Sequence, residues 1–195
     1  MIHVYHQKMG DVWCGAVFED EKIWATMYAR TERDCVQGLL NSLPYNKPFT
    51  LEEKLGSQAE KVLAAMKSLL AGEDVSWDFN FEWNHLSKYS QKVLGCLAKV
   101  PVGYVTTYKA LAKTVGGGPR AVGQIMASNP FAPLVPCHRV IAADFSIGGF
   151  GGAAHNTQLK RAMLRLEDRG FEKPSQVKTE CGPLELFPVG FLRKD

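Results

Sequence analysis

Apolar and polar residues alternate in two early stretches of the chain. In "VWCGAVF" the alternation sets Val12, Cys14, Ala16 and Phe18 on one face, and in "KIWATMY" it sets Ile23, Ala25 and Met27 together. The charged "EDEK" between them suits a hairpin turn, so two antiparallel strands are expected. Helical spacing follows. Thr31 is placed to cap a helix through "TERDCVQGLLNSL", with Cys35, Leu39 and Leu40 on its apolar face. Leu55, Ala59, Val62, Met66, Leu69 and Leu70 predict a second helix within "EEKLGSQAEKVLAAMKSLLAG", with Gly72 as its stop. "EDVSWDFNFEWNH" is acidic and aromatic without helical period and reads as a connection between domains, part of it extended.

From Ser87 onward the period is helical again. Val93, Leu94, Leu97 and Val100 share a side of "SQKVLGCLAKV". Thr106 or Thr107 can cap "YKALAKTV", three glycines break the chain, and Pro119 opens "PRAVGQIMAS" at the first helical position, where its missing N–H costs nothing. Two short helices around a glycine turn make a helix-turn-helix pattern. Ala121, Gly123, Ala127 and Ser128 leave the second helix with little side-chain bulk. Each alone fits close packing on a neighbouring helix; together with Arg120 they suit a surface that must be approached closely. A last helix is expected over "NTQLKRAMLRLEDRG". The organisation read from these patterns is α+β, with an N-terminal α/β domain and its connecting segment over 1–85, a mainly helical domain over 86–170 and an extension over 171–195.

Charge sharpens this division. The net charge of +3 hides −5 over residues 1–85 (eight Lys/Arg, thirteen Asp/Glu) and +8 over residues 86–170 (eleven against three). A basic half beside an acidic one suggests that the basic half meets a polyanion, although a solvated basic face gives the same count. The N-terminus lacks a basic segment followed by a long apolar one, and no apolar run reaches the ~20 residues of a membrane span, so neither a secretory signal nor a membrane partner is expected. The five cysteines, Cys14, Cys35, Cys96, Cys137 and Cys181, are odd in number and widely spaced. Free thiols in a reducing, cytoplasmic compartment are the expectation, with a Cys14–Cys35 bridge left open. No ligand set has the spacing of a structural zinc site, so no metal is expected.

One stretch asks for chemistry. "PLVPCHRVIAA" sets Cys137 directly before His138 and Arg139. A bare Cys-His pair is more often a buried thiol beside a satisfied imidazole. A reactive thiol needs a base or a positive field, because at its ordinary pKa of ~8.5 it is only a few per cent thiolate. Consecutive side chains do not face each other along a helix, so His138 would act through a water, with its other nitrogen held by an acceptor. Of the acids in the last helix, Glu167 shares a stripe with Met163 and Leu164 and is the better candidate to face inward. A carboxylate there would need a partner, and His138 would supply it.

The run "NPFAPLVPCHRVI", with "TTYKALA" and "RAVGQIM" before it and "GGFGG" after it, resembles the O6-alkylguanine-DNA alkyltransferases, from about Tyr89 to Gly170. The resemblance implies a ribonuclease-H-like N-terminal domain. It implies repair of double-stranded DNA by a single transfer of the alkyl group from O6-alkylguanine, and from O4-alkylthymine, to Cys137, which inactivates the protein. It implies that His138 and Glu167 activate Cys137, that Asn129 braces its segment, and that Tyr108 assists the leaving guanine and turns the phosphate. It implies that Arg120 enters the base stack and that Ala121, Gly123, Gln124 and Ser128 lie on DNA. Met126, Val140, Phe150, Gly151 and Lys160 would form the base pocket, and Arg139 would tie the motif to the fold. No cofactor is implied, and a monomer is expected. Family members often carry tyrosine and serine where this chain has Phe150 and Gly151. A non-catalytic lesion sensor on the same fold would lack Cys137. A helix-turn-helix regulator would need base-reading side chains where Gln124 is nearly the sole candidate. A cysteine hydrolase would leave Arg120 and the basic half without a role.

Overall fold

The structure, a computed structural model, describes residues 1–75, 78–149 and 157–193. They form two compact units. The first comprises Met1–Leu70, Val75–His85 and Pro130–Leu134; the second comprises Ala71–Asp74, Leu86–Asn129 and Val135–Asp195.

In the first unit, β1 (Ile2–Met9), β2 (Val12–Glu19) and β3 (Lys22–Ala29) form an antiparallel meander, and β4 (Phe49–Leu51) joins β1 in parallel, giving the order β3-β2-β1-β4. The hairpin expected at "EDEK" is present. Asp20 and Glu21 carry it with φ of 47° and 64°, the left-handed pair that matches the twist of a two-residue turn. β1 had not been read as a strand. Its Ile2 and Val4 are fully buried, whereas His3 and Tyr5 are only partly so. β2 departs from simple alternation: Cys14 through Phe18 are all buried, and the register shifts between Val17 and Phe18. A central strand covered on both faces has no polar side to show.

Helix α1 (Glu32–Asn41) starts where Thr31 accepts a bond from the Asp34 N–H at 3.1 Å. Its Cys35 and Leu39 pack with Ile2, Val4, Val17 and Ala25 into one cluster. The contact is close enough to require glycine on the strand beneath. A Cβ at Gly15 would overlap Leu39 Cδ1 and lie 2.8 Å from the Tyr5 carbonyl oxygen. Helix α2 (Ser57–Leu70) buries Ala59, Val62, Leu63, Met66 and Leu69, close to the predicted stripe, and starts after Gly56 rather than near Leu55. The aromatic connection belongs to this unit. Phe81 bridges Ile23, and Phe131, from the short segment 130–134, bridges Thr26. Thr26 fixes that segment by donating its N–H to Pro130 O at 2.7 Å and its hydroxyl to Ala132 O at 2.8 Å. Cys14 and Cys35 are buried free thiols.

The second unit contains the predicted helices and a sheet that the sequence pattern did not announce. Helices α3 (Lys88–Leu97), α4 (Tyr108–Val115) and α5 (Pro119–Ala127) begin at Ser87, at Thr107 and with Pro119 in the first turn. Tyr89 donates its hydroxyl to Gly116 O at 2.7 Å, which pins the α4–α5 turn. A 3-10 turn, Cys137–Arg139, leads into β6 (Val140–Ile141), and α6 (Thr157–Glu167) follows. The expectation of a mainly helical domain with a separate extension is corrected here. β7 (Ser175–Thr179) and β8 (Gly182–Pro188) form a hairpin, and β8 pairs with β5 (Tyr104–Thr107), giving the order β6-β5-β8-β7. The tail ends in a second 3-10 turn, Val189–Phe191. Val105, Ile141, Leu164 and Val189 make the buried cluster that unites β5, β6, α6 and this tail. Among the described residues no helix is long and apolar enough to cross a membrane, and no group of three or more His, Cys, Asp or Glu could hold a metal ion.

Gly15→Ala tests the packing of α1 on the sheet. The added methyl has nowhere to go, and overpacking of this kind costs about 1–3 kcal/mol. Urea unfolding followed by far-UV circular dichroism should show the variant less stable by about that amount, whereas Gly95→Ala, where a Cβ meets nothing within 4 Å, should be neutral or mildly stabilising.

Candidate active site

The site grows from the short turn that Cys137 opens. Its backbone is tied by Cys137 N–H to Val135 O and by Arg139 N–H to Pro136 O, both 2.9 Å. Cys137, His138, Arg139 and Val140 are all buried. Asn129 donates through Nδ2 to Val135 O at 2.8 Å and also bonds the Cys137 thiol. It thus closes the loop before the cysteine and touches its sulfur.

His138 and Glu167, paired in the sequence reading, meet. Nε2 of the imidazole lies 2.7 Å from Glu167 Oε1. Arg139 grips the same carboxylate with two bonds of 2.9 Å, Nε to Oε2 and Nη2 to Oε1, and its Nη1 donates to Val100 O at 2.6 Å. All three side chains are at most 1% exposed. Burial by itself would raise the Glu167 carboxyl, but His138 and Arg139 reverse that and hold it down at about 2. The lasting charge in this balance is the guanidinium, because burial lowers the His138 pKa and keeps the imidazole neutral at neutral pH. An ionised carboxylate only accepts, so Nε2 carries the proton and Nδ1 keeps its lone pair. The arrangement therefore presents a neutral base with a fixed tautomer beside the cysteine.

The thiol itself is not a resting thiolate. Burial raises the Cys137 pKa, opposed by the Asn129 bond, the Lys160 charge and the backbone N–H groups of Cys137 and His138. Lys160, the fourth residue of α6, is fully buried and donates to Val140 O at 2.6 Å and Gly149 O at 3.0 Å. Burial brings its ammonium down to about 8, and a charged Cys137 would raise it again. Tyr108, the first residue of α4, donates to Gly149 O at 3.4 Å, and Lys160 Nζ sits 5.8 Å from its ring centre. Burial and the Cys137 charge both raise the Tyr108 pKa, so its hydroxyl remains a donor at neutral pH. Gly148 fits beneath this ring for two reasons: its φ is +67°, and a Cβ would lie 3.2 Å from Tyr108 Cε2.

Tyr108, Asn129, Cys137, His138, Val140, Lys160 and Glu167 thus gather in one unit. Met126 is buried with Val122 and Ile125 on the inner face of α5. Arg120, Gln124 and Ser128 are exposed, and Ala121 and Gly123 are half-buried. Ser128 turns its hydroxyl back to Gln124 O at 3.1 Å. Phe150 and Gly151 lie outside the described residues. The Gly149 carbonyl, shared by Lys160 and Tyr108, was not foreseen, because a backbone acceptor in a glycine pair leaves no side-chain signal.

The matching family model is that of the 6-O-methylguanine DNA methyltransferase, DNA binding domain, over residues 88–169. Over residues 88–169 the chain is thus similar to the DNA-binding domain of the O6-methylguanine DNA methyltransferases. A methylated-DNA–protein-cysteine methyltransferase of Methanothermobacter thermautotrophicus is 32% identical over 114 residues, covering 58% of this chain and 63% of that protein. One of Pyrobaculum aerophilum is 46% identical over 71 residues, covering 36% and 46%. The chain thus spans between 46% and 63% of the length of these two relatives. The crystal structure of the O6-methylguanine-DNA methyltransferase of Pyrococcus kodakaraensis matches at a TM-score of 0.64 with 26% identity, covering 86% of this chain and 99% of that one. A Mycobacterium tuberculosis OGT in complex with DNA matches at 0.64 and 25%, covering 85% and 92%.

The Glu167 pKa gives a signed pH dependence. Held at about 2 in the folded protein against ~4.3 unfolded, the carboxylate contributes stability that is full above the unfolded value and is lost as pH falls from ~4.5 towards 2. Glu167→Gln removes this dependence and leaves Arg139 buried without its anion, which costs about 3–5 kcal/mol. Urea unfolding at pH 7 should show that loss. Between pH 5 and 3 the wild type should lose stability more steeply than the variant.

Proposed function

We propose that this chain repairs alkylated DNA directly, moving the alkyl group from O6 of guanine in a duplex, and from O4 of thymine, to Cys137. The observation that carries the reading is the buried Cys137–His138–Glu167–Arg139 arrangement, in one unit with an exposed, small-faced helix.

His138 Nδ1, through a water, takes the thiol proton, while Glu167 steadies the imidazolium that forms. The sulfur then attacks the alkyl carbon, a carbon–sulfur bond forms and the carbon–O6 bond breaks. The electron pair goes to the guanine, which takes a proton from the Tyr108 hydroxyl; the proton from sulfur restores the balance. The Lys160 charge offsets the thiolate at the start of this path and is in contact with Tyr108 at its end. A thioether has no return route to thiol without a further reactant, so each molecule acts once. No metal or organic group is called for by this displacement.

The target oxygen is inside a paired stack, so the base must rotate out to be reached. We read α4, its glycine turn and α5 as a helix-turn-helix. The outer face of α5 fits the minor groove, where base edges are degenerate and damage can be sought without reading sequence. Gly123 supports this reading. A Cβ there would meet only Tyr108 Cε1, at 4.0 Å, so packing within the unit does not demand a glycine; close approach of an outside backbone does. Arg120, exposed at the start of α5, would fill the gap left by the rotated nucleotide. Burial of Arg139, Lys160 and Glu167 leaves nine cations against two anions nearer the surface of residues 86–170, a balance of +7, which attracts phosphate regardless of sequence. Met126 and Val140, with Phe150 and Gly151, would wall the base pocket, and the first unit is read as ribonuclease-H-like.

Intact-mass measurement after mixing with a duplex containing O6-methylguanine decides the central step. One added methyl should map to the Cys137 peptide, and Cys137→Ser should gain none; a methyl found elsewhere would sink the assignment. For Arg120→Ala, transfer from duplex should slow by about tenfold or more, an interaction of ~1.4 kcal/mol, while reaction with free O6-benzylguanine stays near wild type. Equal losses on both substrates would remove Arg120 from base rotation.

A further inference from the structure

The tail beyond Gly170 lies outside the matched family domain, yet it touches the loop that serves the site. That loop begins after β6 with a tight turn. Phe145 N–H donates to Ala142 O at 3.0 Å, Ala142 N–H donates to Ser146 O at 3.1 Å, and Asp144 Oδ1 accepts from both the N–H and the hydroxyl of Ser146 at 3.1 and 2.7 Å. At its apex Phe145 has φ of +63°. A bulky residue in the left-handed region is strained and stays there only where its surroundings hold it.

The surroundings come from the tail. The Phe145 ring meets Phe187 edge-on at 5.1 Å and Phe191 edge-on at 6.0 Å. The Arg193 N–H donates to Phe145 O at 3.0 Å, and Arg193 Nη1 reaches Asp144 Oδ2 at 3.2 Å. Arg161 of α6 in turn donates to Arg193 O at 3.2 Å. Phe145 and Ile147 both pack on the Val105, Ile141, Leu164 and Val189 cluster, beside Phe187 and Leu192. Two residues after Ile147 comes Gly149, whose carbonyl holds Lys160 and Tyr108.

We infer that the C-terminal tail is a clamp on the strained Phe145 turn, and that through it Phe145 positions the Gly149 carbonyl, and so Lys160 and Tyr108, around the base pocket. Phe145 and Phe191 are positioning residues; neither touches the reacting atoms. The pocket role rests on the alkyltransferase reading above.

The clamp predicts an unusual ranking of substitutions. Phe145→Ala removes the ring that the tail holds but keeps a Cβ that disfavours the left-handed conformation, so the turn should open. Phe145→Gly removes the ring and the strain together, so the turn should persist. In a purely packing role glycine would be no better than alanine. The full-length variants are compared in two ways: the concentration of free O6-benzylguanine that half-saturates inactivation, separated from the rate at saturation, and amide hydrogen exchange at Ala142 and Ser146. For Phe145→Ala both the half-saturating concentration and the exchange rate should rise about tenfold, ~1.4 kcal/mol. For Phe145→Gly both should stay within about threefold of wild type, and the rate at saturation should change little in either. Phe191→Ala, losing one ring contact, should rise about threefold on both measures. Equal losses for alanine and glycine, a loss confined to the saturating rate, or a Phe191→Ala protein identical to wild type would overturn the clamp. A wild-type chain that takes no alkyl group would overturn the alkyltransferase reading and the pocket role with it, while the exchange ranking alone would then decide whether the tail holds the turn.

Discussion

The turn that carries Cys137 and the imidazole beside it lean on one buried carboxylate and its guanidinium. Glu167 closes α6, where the carbonyl end of a helix repels an anion, and it is fully cut off from water. Neither circumstance favours a charge there. Arg139 makes the charge tolerable through its paired bonds, and the same guanidinium reaches Val100 O beyond α3. A buried ion pair of this kind is weak evidence of stability, because desolvation consumes much of the attraction. Its value here is positional. It locks the turn that carries the cysteine to α6 and to the chain after α3, and the oxygen that Arg139 Nη2 shares with His138 orients the imidazole.

The distinction between Cys137 and the other thiols follows from the same economy. Burial pushes Cys14 up to about 11, Cys35 up to about 12, and raises Cys96. Cys137 is raised as well, so resting acidity does not single it out. What it has in addition is a set of groups that favour the anion once it forms: the Asn129 amide, the Lys160 ammonium and two backbone N–H donors. Cys14 has burial alone to set its pKa, and Cys35 faces neighbouring groups that raise it further. A thiol kept protonated until a base removes its proton is protected from casual oxidation.

Much of this site was readable from the chain because it is built on helices with clear punctuation. Thr31, the Thr106–Thr107 pair and Pro119 marked helix starts, with Thr107 the observed cap, and the Met163–Leu164–Glu167 stripe pointed a carboxylate inward. Side chains that carry chemistry on periodic elements leave a signal of type and spacing together. The β7–β8 hairpin left none, since "SQVKT" is largely exposed and its partner alternates over only a few residues. β5 and β6, at four and two residues, are too short for a period to emerge. Segment 130–134 belongs to the first unit through backbone bonds to Thr26, and backbone acceptors have no sequence signature. The same holds for the carbonyls of Val100 and Gly149. The donors Arg139 and Lys160 were visible, but what they donate to was not.

That asymmetry explains why the tail was read as an appendage. Its contribution to the site runs almost wholly through main-chain groups and ring edges, as in the bond from Arg193 N–H to Phe145 O. Position 145 looks like an ordinary aromatic in the sequence, and only its φ shows that the backbone there is held against its preference. Strain of this sort persists where the rest of the fold over-determines it. In this unit the over-determination comes from a hairpin and a short turn added after the last helix. A loop with glycines at 148 and 149 gains little rigidity from itself, because glycine loses the most freedom on ordering. With the rigid point at Phe145 anchored from outside the loop, the glycines follow a fixed origin, and Gly148 stays slim enough to lie against the Tyr108 ring.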